Sequence, residues 1–277
     1  MKGSLLALNV LGLAWLAGGL GESGRGPLLA AHRGGAALWA ENSLLAFRNA
    51  VALGVDYLEL DVHLSRDGEV MVIHDPRLDR TTTGSGAVKD RTRAELRALR
   101  LRDRSGAVTA EPIPTLDEVV RMAAAAERGL LLEIKVDAEG AHYPGIEERV
   151  LAVLDRHAME RAAVVMAFEA ETWRRVRALR PDVRAGALYS ARTLRSGADV
   201  ARAIDDARAA GCEFVGLAYP LVTAEAAARA REASILLGAW TVNEPAVMRQ
   251  LIALPVGVLI TDRPDLGRSL LKHWRDP

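Results

Sequence analysis

Residues 58–76 read LELDVHLSRDGEVMVIHDP, and this stretch concentrates groups able to do chemistry. Side chains two apart on a strand share a face, so Glu59 and Asp61 point the same way, as do Glu133 and Lys135 at the end of LLLEIK. Three carboxylates gathered at strand ends repel one another unless a cation lies between them. An all-oxygen donor set selects a hard ion, magnesium or calcium. The plainer arrangement would pair these acids with Arg33 and Lys135 as buried salt bridges. Two histidines fall in the same region: His32 in AHRGG and His74 at the end of the second apolar run. An imidazole beside such a cluster can serve as general acid and general base near neutral pH. His63, His142, His157 and His273 are read as structural, the commoner fate of a lone histidine. Arg33 and Lys135 add positive charge suited to an anionic substrate, the guanidinium being able to fork onto two phosphate oxygens. The reaction these groups suit is phosphoryl chemistry.

The elements that must position them follow from the alternation along the chain. Short apolar runs at 28–32, 55–61, 130–135, 163–167, 184–189, 213–217, 235–241 and 257–261 alternate with helical patterns. The helices are expected at 43–53, 115–128, 146–157, 170–179, 198–210, 223–233, 244–253 and 264–273. Ser43, Thr115, Thr223 and Asn243 stand where N-caps belong, and Thr115 with Glu118 forms a capping-box pattern. Repeated βα pairs of this number and length predict a closed (β/α)8 TIM barrel, with reactive groups at the C-terminal ends of its strands. An open doubly wound sheet is the alternative, but the glycine-rich phosphate loop expected after its first strand is missing.

One segment departs from the alternation. EVMVIHD reads as an additional strand joined to the second by Asp67-Gly68, a pair favoured in two-residue hairpin turns, and that turn places His74 directly across from Asp61. Residues 76–112 then form a polar insertion with one amphipathic stretch around 94–101, expected as a small cap at the barrel mouth.

Of 277 residues, 50% are hydrophobic and 26% charged, enough to bury a large core in one domain. Thirty-six basic and thirty-six acidic residues cancel, which removes the electrostatic argument for a nucleic-acid partner. The single cysteine, Cys212, has no partner for a disulfide or a shared zinc site and reads as a small apolar core residue. Residues 1–22 carry Lys2 and then the uncharged run SLLALNVLGLAWLAGGL, resembling a secretory signal with Ala17 and Gly19 near a cleavage point. The expectation is export, or membrane association through this segment, with a cytoplasmic protein as the alternative; residues 23–277 form the barrel.

With these residues on the page, the chain resembles the glycerophosphodiester phosphodiesterases. The matching stretches are AHRGG, ENSLLAF, GVDYLELDVHLSRDGEVMVIHDPRLDRTTTGSG, IPTLDEVV, LLLEIK, WTVNEP and GVLITDRPDL, in that order. The resemblance implies ligation of one divalent cation, Mg2+ or Ca2+, by Glu59, Asp61 and Glu133. It implies catalysis by His32 and His74 and phosphate contact by Arg33 and Lys135. Support from Glu41 and Asn42 and a mouth lined by Trp240 come with it. Two departures stand out: the family's usual proline before the Glu-Asn pair is Ala40 here, and the threonine after it is Ser43. TTTGSG is retained and is expected to mark the base of the cap rather than a catalytic element.

The resemblance implies hydrolysis of a small-molecule glycerophosphodiester to glycerol 3-phosphate and an alcohol. Two alternatives are a phospholipase or lysophospholipase D-type enzyme acting on intact lipids, and a non-catalytic glycerophosphodiester-binding protein.

Overall fold

The structure, a computed structural model, describes residues 26–275; the leader expected over residues 1–22 lies outside them. Among the described residues no helix is long and apolar enough to cross a membrane.

The strands are β1 (Leu28–Ala31), β2 (Tyr57–Leu64), β3 (Val70–Val72), β4 (Gly129–Ile134), β5 (Ala163–Ala167), β6 (Arg184–Tyr189), β7 (Phe214–Ala218), β8 (Leu236–Trp240) and β9 (Val258–Thr261). Hydrogen bonding runs in the order β1-β9-β8-β7-β6-β5-β4-β2-β3, and an additional β1–β2 pairing closes the ring. All the pairs in the ring are parallel, so eight strands form the expected TIM barrel, and β3 is an antiparallel extension on β2. The helices are α1 (Leu44–Ala52), α2 (Arg93–Ala98), α3 (Leu116–Ala125), α4 (Ile146–Arg156), α5 (Ala170–Leu179), α6 (Gly197–Ala209), α7 (Ala224–Glu232), α8 (Pro245–Ile252) and α9 (Pro264–Arg275). All but α2 bury their apolar faces against the outside of the ring, and all of these but α3, which comes after the insertion, follow a barrel strand in the chain.

Two cores result from the period-two pattern of the strands. The larger lies between sheet and helices, built from Leu29, Leu58, Leu60, Leu130, Leu132 and their neighbours, and it includes buried Cys212. The smaller fills the barrel itself, with Tyr57, Leu131, Val164, Phe214 and Ile260. Phe214 needs glycines on its flanking strands: a Cβ at Gly238 would lie 2.5 Å from its ring and one at Gly186 2.9 Å. Ring closure is therefore matched by small residues opposite a large one.

The caps are mostly those expected. Ser43 accepts from the Ala46 amide, Thr223 from the Ala226 amide, and Thr115 with Glu118 completes a capping box. Asn243 does not cap: the residue before α8 is Glu244, whose side chain makes no capping bond, while Asn243 is bonded to Asp262 instead. A short amide shared between two loops satisfies two orphan groups of the barrel rim and outcompetes a local cap.

The hairpin register also differs from expectation. The Gly68 amide donates to the Ser65 carbonyl, Gly68 is left-handed (φ 81°), and Ser65 pairs with Glu69, so three residues make the loop. The Ser65 hydroxyl sets this geometry by donating to Asp67 Oδ1 at 2.7 Å and accepting from the Glu69 amide at 2.8 Å. One extra loop residue shifts every pair by one. Ile73, not His74, stands across from Asp61, its amide donating to the Asp61 carbonyl at 3.0 Å.

The insertion, residues 76–112, surrounds its own small core of Leu78, Val88, Leu96 and Leu101, packed with Met71 and Ile73 of the hairpin and Ala40. Ala40, where a proline was the family pattern, is buried in that core.

Candidate active site

At the C-terminal end of the barrel, Glu59 and Asp61 of β2 meet Glu133 of β4, because the strand register sets Asp61 beside Glu133. All three are buried, and one carboxylate oxygen from each lies within 4.8 Å of the others. Burial and repulsion from Asp61 and Glu133 push the Glu59 pKa well above the usual carboxylate range. Burial and the Asp61 charge also raise that of Glu133, against the pull of Lys135. Asp61 goes the other way: burial disfavours its charge, but Lys135 and Arg33 outweigh that and hold it ionised.

The basic residues sit among these acids. Lys135 Nζ is 2.6 Å from Glu133 Oε1 and 3.2 Å from Asp61 Oδ1. Arg33 follows β1 in a left-handed conformation (φ 52°); its amide donates to Glu59 Oε2 at 2.8 Å, and its Nε lies 3.5 Å from Asp61 Oδ2. Both the salt-bridge arrangement and the acidic cluster are thus present together. Even with these two cations beside them, the pKa values of Glu59 and Glu133 are pushed up by burial and repulsion among the acids, so the acids are still short of compensating positive charge. Asp61 Oδ1 accepts no well-formed hydrogen bond despite its burial. An all-oxygen donor set with a buried acceptor that has only the Lys135 ion pair beside it fits one hard divalent cation.

His32 ends the β1 crossing, with Nδ1 2.6 Å from Asp262 Oδ1 and Nε2 3.9 Å from Glu59 Oε2. A carboxylate only accepts, so Nδ1 carries the proton and Nε2 is left for the site. Burial lowers the His32 pKa, against the opposing effect of its hydrogen bond to Asp262. His74 reaches the same cavity because the chain leaves the ladder after Ile73; its Nδ1 is 2.7 Å from Asp75 Oδ1. His63, read as structural, is buried, donates from Nε2 to the His74 carbonyl at 3.0 Å, and receives the Tyr143 hydroxyl on Nδ1 at 3.0 Å.

The flanking pair is also in place. Asn42, buried and left-handed (φ 57°), donates to Asp61 Oδ2 at 3.0 Å. Glu41 accepts from Arg33 Nη1 at 3.1 Å. His142, His157 and His273 have partners away from the cavity, on Glu147, Asp117 and the Ser269 carbonyl.

A cavity of about 300 Å³ opens over the cluster. Its polar side carries His32, Arg33, Glu59, His74, Glu133 and Lys135; its apolar side carries Met166, Phe168, Leu188, Trp240 and Ile260. Phe168 meets Trp240 edge to face, with ring centroids 5.7 Å apart. Trp240 Nε1, though buried, has no partner.

Asp75, Asp262, Arg80 and Phe168 were not singled out in the sequence, and Asn243 was read there only as a helix cap. Asp75 adjoins His74, and Asp262 follows the last strand at the end where barrel sites are built, so position was the available signal for both. Arg80 carried none.

The chain matches the model of the glycerophosphoryl diester phosphodiesterase family over residues 32–266. It is 32% identical over 248 residues to a glycerophosphodiester phosphodiesterase of Caldanaerobacter subterraneus subsp. tengcongensis, covering 88% of this chain and 98% of that one. It is 29% identical over 299 residues to one of Bacillus subtilis (strain 168), covering 99% of each. An Oleispira antarctica phosphodiesterase, solved in complex with the product sn-glycerol-3-phosphate, superposes with a TM-score of 0.75 at 25% identity, over 89% of this chain and 97% of that one.

Proposed function

This chain belongs to the glycerophosphoryl diester phosphodiesterase family, and on that basis we propose that it hydrolyses small glycerophosphodiesters to glycerol 3-phosphate and an alcohol with His32 and His74 as proton carriers. The observation that carries this reading is the pair of imidazoles, each held at Nδ1 by its own carboxylate, flanking three buried acids in one cavity.

Glu59, Asp61 and Glu133 would hold one divalent cation, Mg2+ or Ca2+, which when bound polarises a phosphate oxygen as a Lewis acid. Arg33 and Lys135 bind the remaining charge of the phosphodiester and orient it. Glu41 and Asn42 keep Arg33 and Asp61 in place for this. One histidine removes the proton of the attacking hydroxyl while the other delivers a proton to the departing alcohol oxygen as its bond to phosphorus breaks. The attacking hydroxyl is either that of the glycerol next to the ester, giving a cyclic phosphate that water then opens with the histidine roles exchanged, or water itself. Trp240 and Phe168 pack against the non-phosphate part of the substrate and exclude water there. Trp240 Nε1 offers it a donor.

A lipid substrate has one observation in its favour: Phe168 is 38% exposed, so the apolar wall continues outward from the cavity. The deciding experiment measures glycerol 3-phosphate released from glycerophosphocholine and glycerophosphoethanolamine, alongside choline released from lysophosphatidylcholine. Each is run for the unmodified protein, His32→Ala and His74→Ala. Release from the small diesters, lost in both variants, is expected. Binding without release would support the non-catalytic alternative.

A further inference from the structure

We propose that Arg80, carried by the insertion after β2, is a positioning residue that holds His74 in its working orientation by forking onto Asp75, and that this is what the TTTGSG segment is built to deliver. The inference rests on the reading of His74 as a proton carrier.

The contacts form one chain. Arg80 Nε donates to Asp75 Oδ2 at 2.6 Å and Nη2 to Asp75 Oδ1 at 2.9 Å. The same guanidinium makes a second fork on Glu41, Nη1 to Oε2 at 2.9 Å and Nη2 to Oε1 at 2.8 Å. Asp75 Oδ1 holds His74 Nδ1, and Glu41 Oε1 holds Arg33 Nη1. One residue outside the barrel therefore braces both an imidazole on the β3 side and a guanidinium on the β1 side. Its side chain is 50% exposed, and ion pairs so placed add little to stability, so a purely stabilising role explains two bidentate contacts poorly. Their geometry does suit orientation, since a planar guanidinium fixes a carboxylate in two directions.

The surrounding sequence supports Arg80 from behind. Leu78 is buried in the insertion's core, and Thr82, also buried, donates its hydroxyl to the Leu78 carbonyl at 2.8 Å and accepts from the Gly84 amide at 3.0 Å. Arg102 Nε closes the turn on the Thr82 carbonyl at 2.9 Å. Arg80 sits inside this braced turn. His74 is then held at two points: the carbonyl by His63 and the ring, through Asp75, by Arg80.

The test compares Arg80→Ala, Arg80→Lys, Asp75→Asn and the double variant Arg80→Ala/Asp75→Asn. A group acting through a neighbour on the reacting centre costs about 10- to 100-fold in turnover. The expected result for Arg80→Ala is a kcat fall of that size with KM changed less than about twofold. Methylguanidinium added to Arg80→Ala should restore part of the loss, and Arg80→Lys, a point charge, should not. The double variant should be no worse than the worse single one. A rise in KM at constant kcat would mean that Arg80 acts through Glu41 and Arg33, and unchanged kinetics would mean that it acts on neither; both overturn the proposal. Nitrogen-15 imidazole spectra, assigned with His74→Ala, read the contact without turnover. His74 should be the Nδ1-protonated form in the unmodified protein and a mixture in Arg80→Ala, and an unchanged His74 signal overturns the proposal whichever ester is cleaved. Absence of glycerol 3-phosphate release by the unmodified protein would instead refute the functional reading. Should Arg80→Ala unfold, Asp75→Asn carries the same kinetic and spectroscopic expectations.

Discussion

His32 and Asp262 are 230 residues apart in sequence and 2.6 Å apart in space, Nδ1 to Oδ1, across the seam where β1 meets β9. Closing the barrel is what makes this pair. Asn243 then fixes the carboxylate, donating to Asp262 Oδ2 at 2.7 Å and accepting the Asp262 amide at 2.9 Å.

Replacing Asp262 with asparagine should therefore lower kcat by about 10²-fold, because a neutral amide neither fixes the Nδ1–H tautomer nor stabilises the imidazolium. The fold should be retained. Asn243→Ala, which loosens the carboxylate without removing it, should cost less. Steady-state kinetics on glycerophosphocholine decide the matter, and an Asp262→Asn enzyme as fast as the unmodified one would remove Asp262 from the machinery.

Removing divalent cations should stop glycerol 3-phosphate release, and Mg2+ or Ca2+ should restore it. Glu59→Gln, Asp61→Asn and Glu133→Gln should each weaken cation binding at least about tenfold, measured by titration calorimetry without substrate. Binding that survives all three substitutions would place the cation elsewhere.

His63 should make the protein less stable in acid. Burial lowers its pKa from 6.5 to about 4 in the folded state. As pH falls below 6.5 the unfolded chain takes up a proton that the native state refuses, so stability declines down to about pH 4 and levels off below it. At pH 5 the loss is on the order of 2 kcal/mol. Urea unfolding at pH 7 and pH 5 should show His63→Gln with a smaller difference between the two pH values than the unmodified protein. Equal differences would mean that His63 titrates normally.

Gly34→Ala should damage both fold and site. Gly34 is left-handed (φ 80°), and a Cβ there would lie 2.8 Å from that of Ala46 and 3.1 Å from the Phe47 ring. Backbone strain and overpacking together should cost about 2 kcal/mol or more. The shift would also move the Arg33 amide off Glu59. Chemical unfolding with a parallel rate measurement checks this, and a cost below about 0.5 kcal/mol would show that the turn can relax.

Much of this site was legible before any coordinates. Glu59, Asp61 and Glu133 lie on strands whose inward face follows from simple alternation, with Lys135 just past the end of one, and the eight βα pairs imply which end of the barrel they share. His32 and Arg33 were reachable because AHRGG marks the end of β1, whereas Glu41 and Asn42 came only with the family resemblance. The hairpin shows the limit. Asp67-Gly68 suggested a two-residue turn, yet the Ser65 hydroxyl chose a three-residue one, and His74 comes to the cavity by leaving the strand rather than by facing Asp61. Asn243 has a cap's position and a cap's chemistry, but a partner from another strand end took it.

From residue order alone came the elements, their caps and the face on which each strand-borne acid stands, since these depend on neighbours within a few positions. Folding in three dimensions decided the pairings: Asp262 with His32, Arg80 with Asp75 and Glu41, and His63 with the His74 carbonyl. Such contacts join segments whose separation carries no local signature. They form only when ring closure and loop geometry bring a donor and an acceptor within about 3 Å with water excluded.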